Sequence, residues 1–340
     1  AGILKRLTKH PVGTDMMPAD GVDYGDMHAG LDLVQFNHYD GMEGLPRASF
    51  WMGLCRTVKS APWWNTETAT CWNGSVTANG YKEPGFCRAN SWLPLALGGE
   101  ANLYWLWRQH PAGQELMHGA VVSSQGRPLH IFEEVQEIAA GFSKAGEFIR
   151  GTSVTPSPLA LHFSHRSAWL FHHQPMVNKF DYQHNLVERV YRPLLGAQLR
   201  PDILLPSANL DGVRILLSPF LPMLDESGLR ERLRTWIQGG GIWIAGPLTD
   251  NRNLNAAKFA ASPYGSLEEW AGVFCKYEIP GDPRDFKLRW VKGKDSSGSV
   301  WYEGLEPRGS ETLASYTEGP CSGLAAAVRK PFGKGQVILL

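Results

Sequence analysis

The 340-residue sequence predicts an α/β protein of two domains, and three observations support this. Short apolar runs alternate with amphipathic helical patterns in both halves, which is typical of parallel βαβ units. In the first half the runs end in polar residues, and parallel strands place such ends on one edge of a sheet. A Ser-, Thr- and Pro-rich stretch at 151–158 separates the halves, so we expect domains at 1–150 and 151–340.

The first domain is expected to contain four strands and three helices. The helices are indicated by apolar residues at helical spacing, such as Phe50, Leu54 and Val58. The strands are indicated by apolar runs such as LDLVQF and NLYWLW, which suit strands that are buried on both faces. The expected strands are 10–17, 31–40, 62–69 and 100–110, and the expected helices are 48–59, 91–99 and 129–142.

The second domain is predicted to be a flavodoxin-like open sheet. Its strands are expected at 159–164, 201–206, 213–219 and 242–246, with helices at 178–198 and 226–241. After about residue 290 the pattern weakens to short segments at 311–316 and 325–330. The segment 333–340 is predicted to be a hairpin turn followed by a strand.

Composition excludes several classes of protein. Lys+Arg 33 balances Asp+Glu 33, which argues against a nucleic-acid-binding protein. The sequence shows no secretory signal and no apolar run near the roughly 18 residues of a membrane span. Five cysteines are an odd number, which favours free thiols and a reducing, cytoplasmic compartment. The spacing of Cys55, Cys71 and Cys87 does not suit a zinc site.

Tryptophan is abundant, with 13 residues, seven of them in the first 107 positions. Such rings either pack in a core or offer flat apolar faces to a sugar, and both interpretations stay open. Glu67 lies in WWNTETATCW, at a predicted strand end beside Trp63, Trp64 and Trp72. A carboxylate in this place suits a nucleophile that attacks an anomeric carbon, and the alternative is a surface carboxylate.

Three more residues are candidates for binding hydroxyl groups. Glu115 and His118 are three residues apart, so on a turn or short helix they share one face and could hold vicinal hydroxyls, one accepting and one donating. A metal-ligand role and a solvated loop pair are the alternatives. Tyr39, at the end of the second predicted strand, could position a hydroxyl, hydrogen-bond the nucleophile, or belong to the core.

The second domain shows no catalytic motif. Its triple glycine at 239–241 closes a helix before a strand, whereas a dinucleotide-binding fingerprint places glycines after a strand. An amidotransferase-like enzyme would need a nucleophile on a strand-to-helix elbow, and Ser218 has no flanking glycine. We therefore expect a non-catalytic docking domain.

Three runs, DLVQFNHYD, PWWNTETATCW and LYWLWRQHPAGQELMHGAV, resemble the family 42 glycoside hydrolases, mostly β-galactosidases. The resemblance extends over about residues 3–340. It implies a (β/α)8 TIM barrel, of which strands five to eight are apparent here, followed by an open α/β domain that forms trimers. It also implies retaining hydrolysis of terminal non-reducing β-D-galactosides.

The resemblance also assigns site residues. Glu67 corresponds to the nucleophile, and the substrate-binding residues correspond to Tyr39, Trp72, Glu115 and His118. Asp15 stands where relatives often carry Asn, and no role is assigned to it.

One expected element has no counterpart in the sequence. The family's general acid/base is the Glu of an Asn-Glu pair, and no such pair occurs in the 340 residues. We therefore expect this sequence to be an excerpt of a longer polypeptide, with the acid/base outside this segment and a structural zinc possible in the missing N-terminal part. No cofactor or metal is expected within the chain. The alternative is a non-catalytic carbohydrate-binding or scaffold protein on a decayed barrel.

Overall fold

The chain forms two compact units, Ala1–Pro156 and Ser157–Leu340. The structure, a computed structural model, describes residues 1–17, 21–74, 80–176, 180–263, 265–281 and 286–340. Within these ranges no helix is long and apolar enough to cross a membrane.

The first unit contains five α-helices and five strands among its described residues. Its helices are α1 (Gly2–Leu7), α2 (Tyr24–Ala29), α3 (Leu45–Val58), α4 (Phe86–Ala96) and α5 (Phe132–Arg150). Its strands are β1 (Val34–Asn37), β2 (Trp63–Glu67), β3 (Trp72–Asn73), β4 (Gly80–Tyr81) and β5 (Ala101–Asn102).

The sheet of the first unit is parallel, in the order β1-β2-β5. Phe36 and Trp63 are fully buried, and α3 packs on β1 with residues 48–55 out of solvent. Apolar burial of this kind is the main stabilising term for such a layer. Because the strands are parallel, the C-terminal residues Asn37 and Glu67 lie at the same edge.

Two of the strands predicted for this unit differ from the structure. The segment 10–17 is not a strand; it makes isolated backbone hydrogen bonds, from Asp32 to the Val12 carbonyl and from Asn37 to the Met16 carbonyl. The strand predicted at 100–110 is only Ala101–Asn102. The apolar run after it was misleading, because Trp107 is 61% exposed and belongs to a loop.

The second unit contains five α-helices and eleven strands among the described residues. The helices are α6 (His165–His173), α7 (Tyr182–Asn185), α8 (Arg192–Gly196), α9 (Leu229–Gln238) and α10 (Leu267–Ala271), with π-helical Leu186–Tyr191 joining α7 to α8. The strands are β6 (Leu159–His162), β7 (Asp202–Leu204), β8 (Ile215–Ser218), β9 (Ile242–Ala245), β10 (Val273–Pro280), β11 (Phe286–Trp290), β12 (Asp295–Gly298), β13 (Trp301–Pro307), β14 (Glu311–Tyr316), β15 (Ala325–Phe332) and β16 (Gly335–Leu339).

The parallel part of this sheet has the order β7-β6-β8-β9-β16. Numbered along the chain, this is 2-1-3-4-5, the flavodoxin-like order, so the predicted open sheet is confirmed. The core beneath it includes Leu233, Trp243 and Val337, all fully buried.

The antiparallel part of the sheet, β10 to β15, was largely missed by the sequence analysis. It is inserted between the fourth and fifth parallel strands and joins the sheet through the β15–β16 pair. The expected segments at 311–316 and 325–330 are strands in the structure. The strands β10, β11, β12 and β13 were not foreseen, because they mix charged residues with apolar ones and lack a clean alternation.

Candidate active site

Glu67 ends β2 at the polar edge of the first unit's sheet and is partly buried. A bulge in the β1–β2 pairing sets Asn37 opposite Glu67 and leaves Thr66 as an extra residue. Such bulges are frequent beside active sites, where they re-aim a side chain. The Asn37 Nδ2 donates to Glu67 Oε2 at 2.9 Å.

Tyr39 lies directly beyond β1, and its hydroxyl donates a hydrogen bond to Glu67. Burial, and then the negative charge of Glu67, raise the pKa of the Tyr39 phenol far above its usual range, so the phenol remains a donor. Its backbone carbonyl accepts from Lys82 Nζ at 2.7 Å and from Asn73 Nδ2 at 3.4 Å.

The pKa of Glu67 is raised, mainly by burial. The Tyr39 hydroxyl opposes this shift because it stabilises the charged carboxylate. The neighbouring carboxylates of Asp15 and Glu115 raise the pKa further. Glu67 therefore lies close enough to Glu115, a residue of the loop 105–119, for their charges to interact.

The loop 105–119 carries Glu115. Its Oε2 accepts from the indole Nε1 of Trp105 at 3.0 Å and lies 3.8 Å from His110 Nε2. Within the described parts of the chain, Glu115 Oε1 accepts no hydrogen bond, so this oxygen is the one suited to a ligand hydroxyl.

His118 is buried beside Tyr39, with ring centroids 5.7 Å apart in an edge-to-face arrangement. Its Nδ1 lies 3.0 Å from the Gly119 carbonyl oxygen, which can only accept, so Nδ1 carries the proton. In a neutral imidazole Nε2 is then an acceptor. In a protonated imidazole Nε2 donates, so the expected division of acceptance and donation between Glu115 and His118 stays a prediction.

Trp72 differs from the other four predicted site residues in the groups that it contacts. Its Nε1 donates to the Met117 carbonyl at 2.8 Å, and its ring stacks on His130 at 6.0 Å. The structure thus brings together Glu67, Tyr39, Glu115 and His118, while Trp72 contacts the loop that carries the last two through the Met117 carbonyl. The role of Trp72 in lining a sugar subsite stays a prediction.

Three polar or aromatic groups at the site were given no role from the sequence: Asn37, Asp15 and Trp105. Asn37 and Asp15 are hydrogen-bonded to each other at 2.8 Å. The available signal was that Asn37 and Asp15 end two consecutive apolar or extended segments. The contact between Trp105 and Glu115 depends on the conformation of the loop, so the sequence alone contains no signal for Trp105.

Other candidate chemistry is closed off or absent in the described residues. Ser218 Oγ lies 2.8 Å from His162 Nδ1 and accepts from Trp243 Nε1, but the serine and the histidine are both sealed from solvent. This pair therefore suits a structural role. The parts of the chain that the structure describes contain no group of three His, Cys, Asp or Glu residues arranged to hold a metal ion.

The chain matches two family models. Residues 1–145 match the model described as β-galactosidase, and residues 157–340 match the one described as β-galactosidase trimerisation domain. Among curated relatives, β-galactosidase YesZ of Bacillus licheniformis is 29% identical over 100% of this chain and 51% of its own length. YesZ of Bacillus subtilis is 25% identical with the same coverage. The chain spans about half the length of these relatives.

Solved structures agree on the fold. A β-galactosidase from Bacillus circulans sp. alkalophilus superposes with a TM-score of 0.92 over 99% of this chain and 51% of that chain, at 21% identity. That of Halorubrum lacusprofundi gives 0.85 over 94% and 50%, at 25% identity. The α/β class and the barrel-type first unit are confirmed, whereas the numbering of its strands as five to eight stays a prediction. The chain belongs to glycoside hydrolase family 42.

Proposed function

We propose that the protein carrying this chain is a retaining β-galactosidase, which releases terminal non-reducing β-D-galactose, and that Glu67 is its nucleophile. The observation that carries the proposal is the position of Glu67. It ends a parallel strand, accepts hydrogen bonds from Asn37 and Tyr39, and faces the loop of Glu115 and His118. The names of the curated relatives support the choice of galactosides as substrate class.

In the first step the Glu67 carboxylate attacks C1 of the galactosyl unit while a carboxylic acid protonates the departing oxygen. The C1–Oε bond forms, the glycosidic bond breaks, and the sugar is held as a galactosyl ester. Asn37 and Tyr39 fix the carboxylate so that one oxygen is aimed at C1, which lowers the entropic part of the barrier.

In the second step water attacks C1 from the face that the aglycone left, and the acid/base, now a carboxylate, accepts a proton from this water. The C1–Oε bond breaks, so that galactose and the Glu67 carboxylate are released. Two inversions give net retention, and the two carboxyl groups must be about 5–5.5 Å apart. The 340 residues contain no Asn-Glu pair, so we propose that the acid/base lies outside this segment. The chemistry needs no cofactor.

Galactose hydroxyls would be held by Glu115 Oε1 and by His118 Nε2, the ring nitrogen that is left for a ligand. Trp105 fixes the other Glu115 oxygen and so orients the free one. We retain Trp72 as a candidate wall of the sugar subsite, through the loop that it supports. The match of residues 157–340 to a trimerisation domain supports a homotrimer as the assembly. Free thiols at all five cysteines support a cytoplasmic location.

The proposal is tested by trapping the intermediate. A 2-deoxy-2-fluorogalactoside with a good leaving group is expected to inactivate the protein, since fluorine slows hydrolysis of the galactosyl ester more than its formation. Proteolysis and mass spectrometry should find the sugar on the peptide that contains Glu67. The variant Glu67→Gln should lose turnover by on the order of 10³-fold or more.

The matched control is Glu100→Gln, because Glu100 is exposed and lies at the opposite end of the sheet, just before β5. It should retain both turnover and labelling. Label on another carboxylate, or near-normal turnover by Glu67→Gln, would show that Glu67 is not the nucleophile. Absence of any label or turnover would favour the non-catalytic alternative, a binding protein on a decayed barrel.

A further inference from the structure

Asp15 is tied at both carboxylate oxygens to the residues that present Glu67. Its Oδ2 accepts from Asn37 Nδ2 at 2.8 Å. Its Oδ1 accepts from Thr66 Oγ1 at 2.5 Å, and Thr66 is the bulge residue that directly precedes Glu67. A single carboxylate therefore links the ends of β1 and β2.

The Asn37 amide joins this carboxylate to the nucleophile. Its Nδ2 lies 2.8 Å from Asp15 Oδ2 and 2.9 Å from Glu67 Oε2, so each of its two hydrogens points to one carboxylate. Ionised carboxylates only accept hydrogen bonds, which fixes the amide with its nitrogen toward them. Any movement of Asp15 is passed on to the donor that holds Glu67.

The same arrangement sets two negative charges on either side of one neutral amide. The titratable groups that face Glu67 are Asp15, Glu115 and Tyr39. Asp15 opposes ionisation of Glu67 by repulsion and by a direct hydrogen bond that favours the protonated form, and Glu115 opposes it by repulsion. The Tyr39 hydroxyl favours ionisation by donating to the charged form. Asp15 is the one of these groups that the proposed mechanism does not yet use.

We propose that Asp15 is a positioning residue, which acts on the nucleophile through Asn37 and through its own negative charge. This inference rests on the proposed function of Glu67. Asp15 need not touch the sugar, because its effect is exerted through the amide bridge, through its direct contact with the Glu67 carboxyl group and through space.

The variant Asp15→Asn separates the two effects. The carbonyl oxygen of the introduced asparagine can still accept from Asn37, and its amide can donate to Thr66, whose hydroxyl has a second acceptor in the Phe36 carbonyl at 3.2 Å. The bridge is kept and the charge is lost. The variant Asp15→Ala removes the charge and the bridge together.

The direction of the effect follows from electrostatics. Glu67 must be ionised to attack, so kcat/KM falls on the acid side as Glu67 becomes protonated. Removing a neighbouring negative charge makes ionisation easier, so the acid limb should move to lower pH.

The measurement is the pH profile of kcat/KM on an aryl galactoside, with the protein that carries the full chain. We expect Asp15→Asn to move the acid limb down by about one pH unit. We expect Asp15→Ala to lower kcat about tenfold or more with little change in KM, because the nucleophile loses its alignment. The control Asp26→Asn removes one exposed carboxylate of α2 and should leave the profile unchanged.

An acid limb that stays in place in Asp15→Asn overturns the inference, and so does a normal kcat in Asp15→Ala. A role confined to stability would lower the rate at every pH and would not move the limb. Labelling of Glu67 by the fluorinated galactoside, measured on the same samples, distinguishes this failure from failure of the proposed function. If the unmodified protein is not labelled at Glu67, the proposed function is wrong and the inference falls with it.

Discussion

At the scale of single residues, the hydrogen-bond partners decide what each site group can do. His118 shows this most clearly, since Nδ1 is committed to the Gly119 carbonyl and only Nε2 can face a ligand. The residue type suggested contact with a hydroxyl group, but only the geometry shows which ring nitrogen is left for it. Similarly, Trp105 commits one oxygen of Glu115 and leaves the other for a ligand.

His118→Ala should lower kcat/KM by roughly 10–10³-fold, because a hydroxyl contact that strengthens in the transition state is lost. His118→Gln, with an amide oxygen that can accept, should recover part of this loss. The control is His173→Ala, an exposed histidine on α6 of the second unit. Equal kcat/KM for His118→Ala and the unmodified protein would remove His118 from the site.

At the scale of elements, the sequence predicted the parallel strands better than the antiparallel ones. Buried parallel strands such as β8 and β9 are continuous apolar runs, which stand out in a sequence. A strand such as β10 carries Lys276 and Glu278 among its apolar residues and has no such signal.

The candidate site was predictable to the extent that its residues lie at strand ends or in the motif of the loop. Glu67, Tyr39, Glu115 and His118 were named on that basis. The bridge from Asp15 through Asn37 was not, because it depends on the bulge in the β1–β2 register and on side-chain directions.

The β10–β13 pair contains an unusual carboxyl group. Glu303 is buried directly opposite Glu278, and its Oε1 accepts from the backbone of Leu248 at 2.6 Å. Burial is the main reason that the pKa of Glu303 is raised to about 8, with the charge of Glu278 adding to it. In the unfolded chain the pKa is near 4.5, so folding requires uptake of a proton between these values.

This pair makes stability depend on pH. The contribution of protonated Glu303 to the free energy of unfolding is fully present below about pH 4.5. It is lost as the pH rises toward about 8. Glu303→Gln has no such dependence, so its free energy of unfolding relative to the parent should rise between pH 5 and pH 8, by up to a few kcal/mol. Urea unfolding of both proteins at the two pH values measures this.

The control for this comparison is Glu306→Gln, which removes a half-exposed carboxylate from the same strand, where it pairs with Lys276. Its difference from the parent should be nearly the same at both pH values. If Glu303→Gln also shows a constant difference, Glu303 is already ionised in the folded protein.

At the scale of the whole molecule, the candidate site and the match to a trimerisation domain lie in different units. All four residues gathered at the candidate site lie in the first unit, and so does Asp15. The Ser218–His162 pair of the second unit is sealed from solvent, so it offers no second site of this kind. The match of residues 157–340 to a trimerisation domain supports a role of this unit in assembly.

We therefore expect a particle of three chains, closed by threefold rotation so that each chain uses one pair of complementary surfaces. Because every chain carries its own Glu67, complete inactivation by the fluorinated galactoside should add one sugar to each chain and three to each particle. Native mass spectrometry reads both numbers in one experiment, and light scattering at micromolar concentration checks the mass. A single-chain mass at that concentration contradicts the trimer. A trimer that saturates at one sugar per particle would mean that the three copies of Glu67 are not equivalent, and closed symmetry with three independent sites would then be wrong.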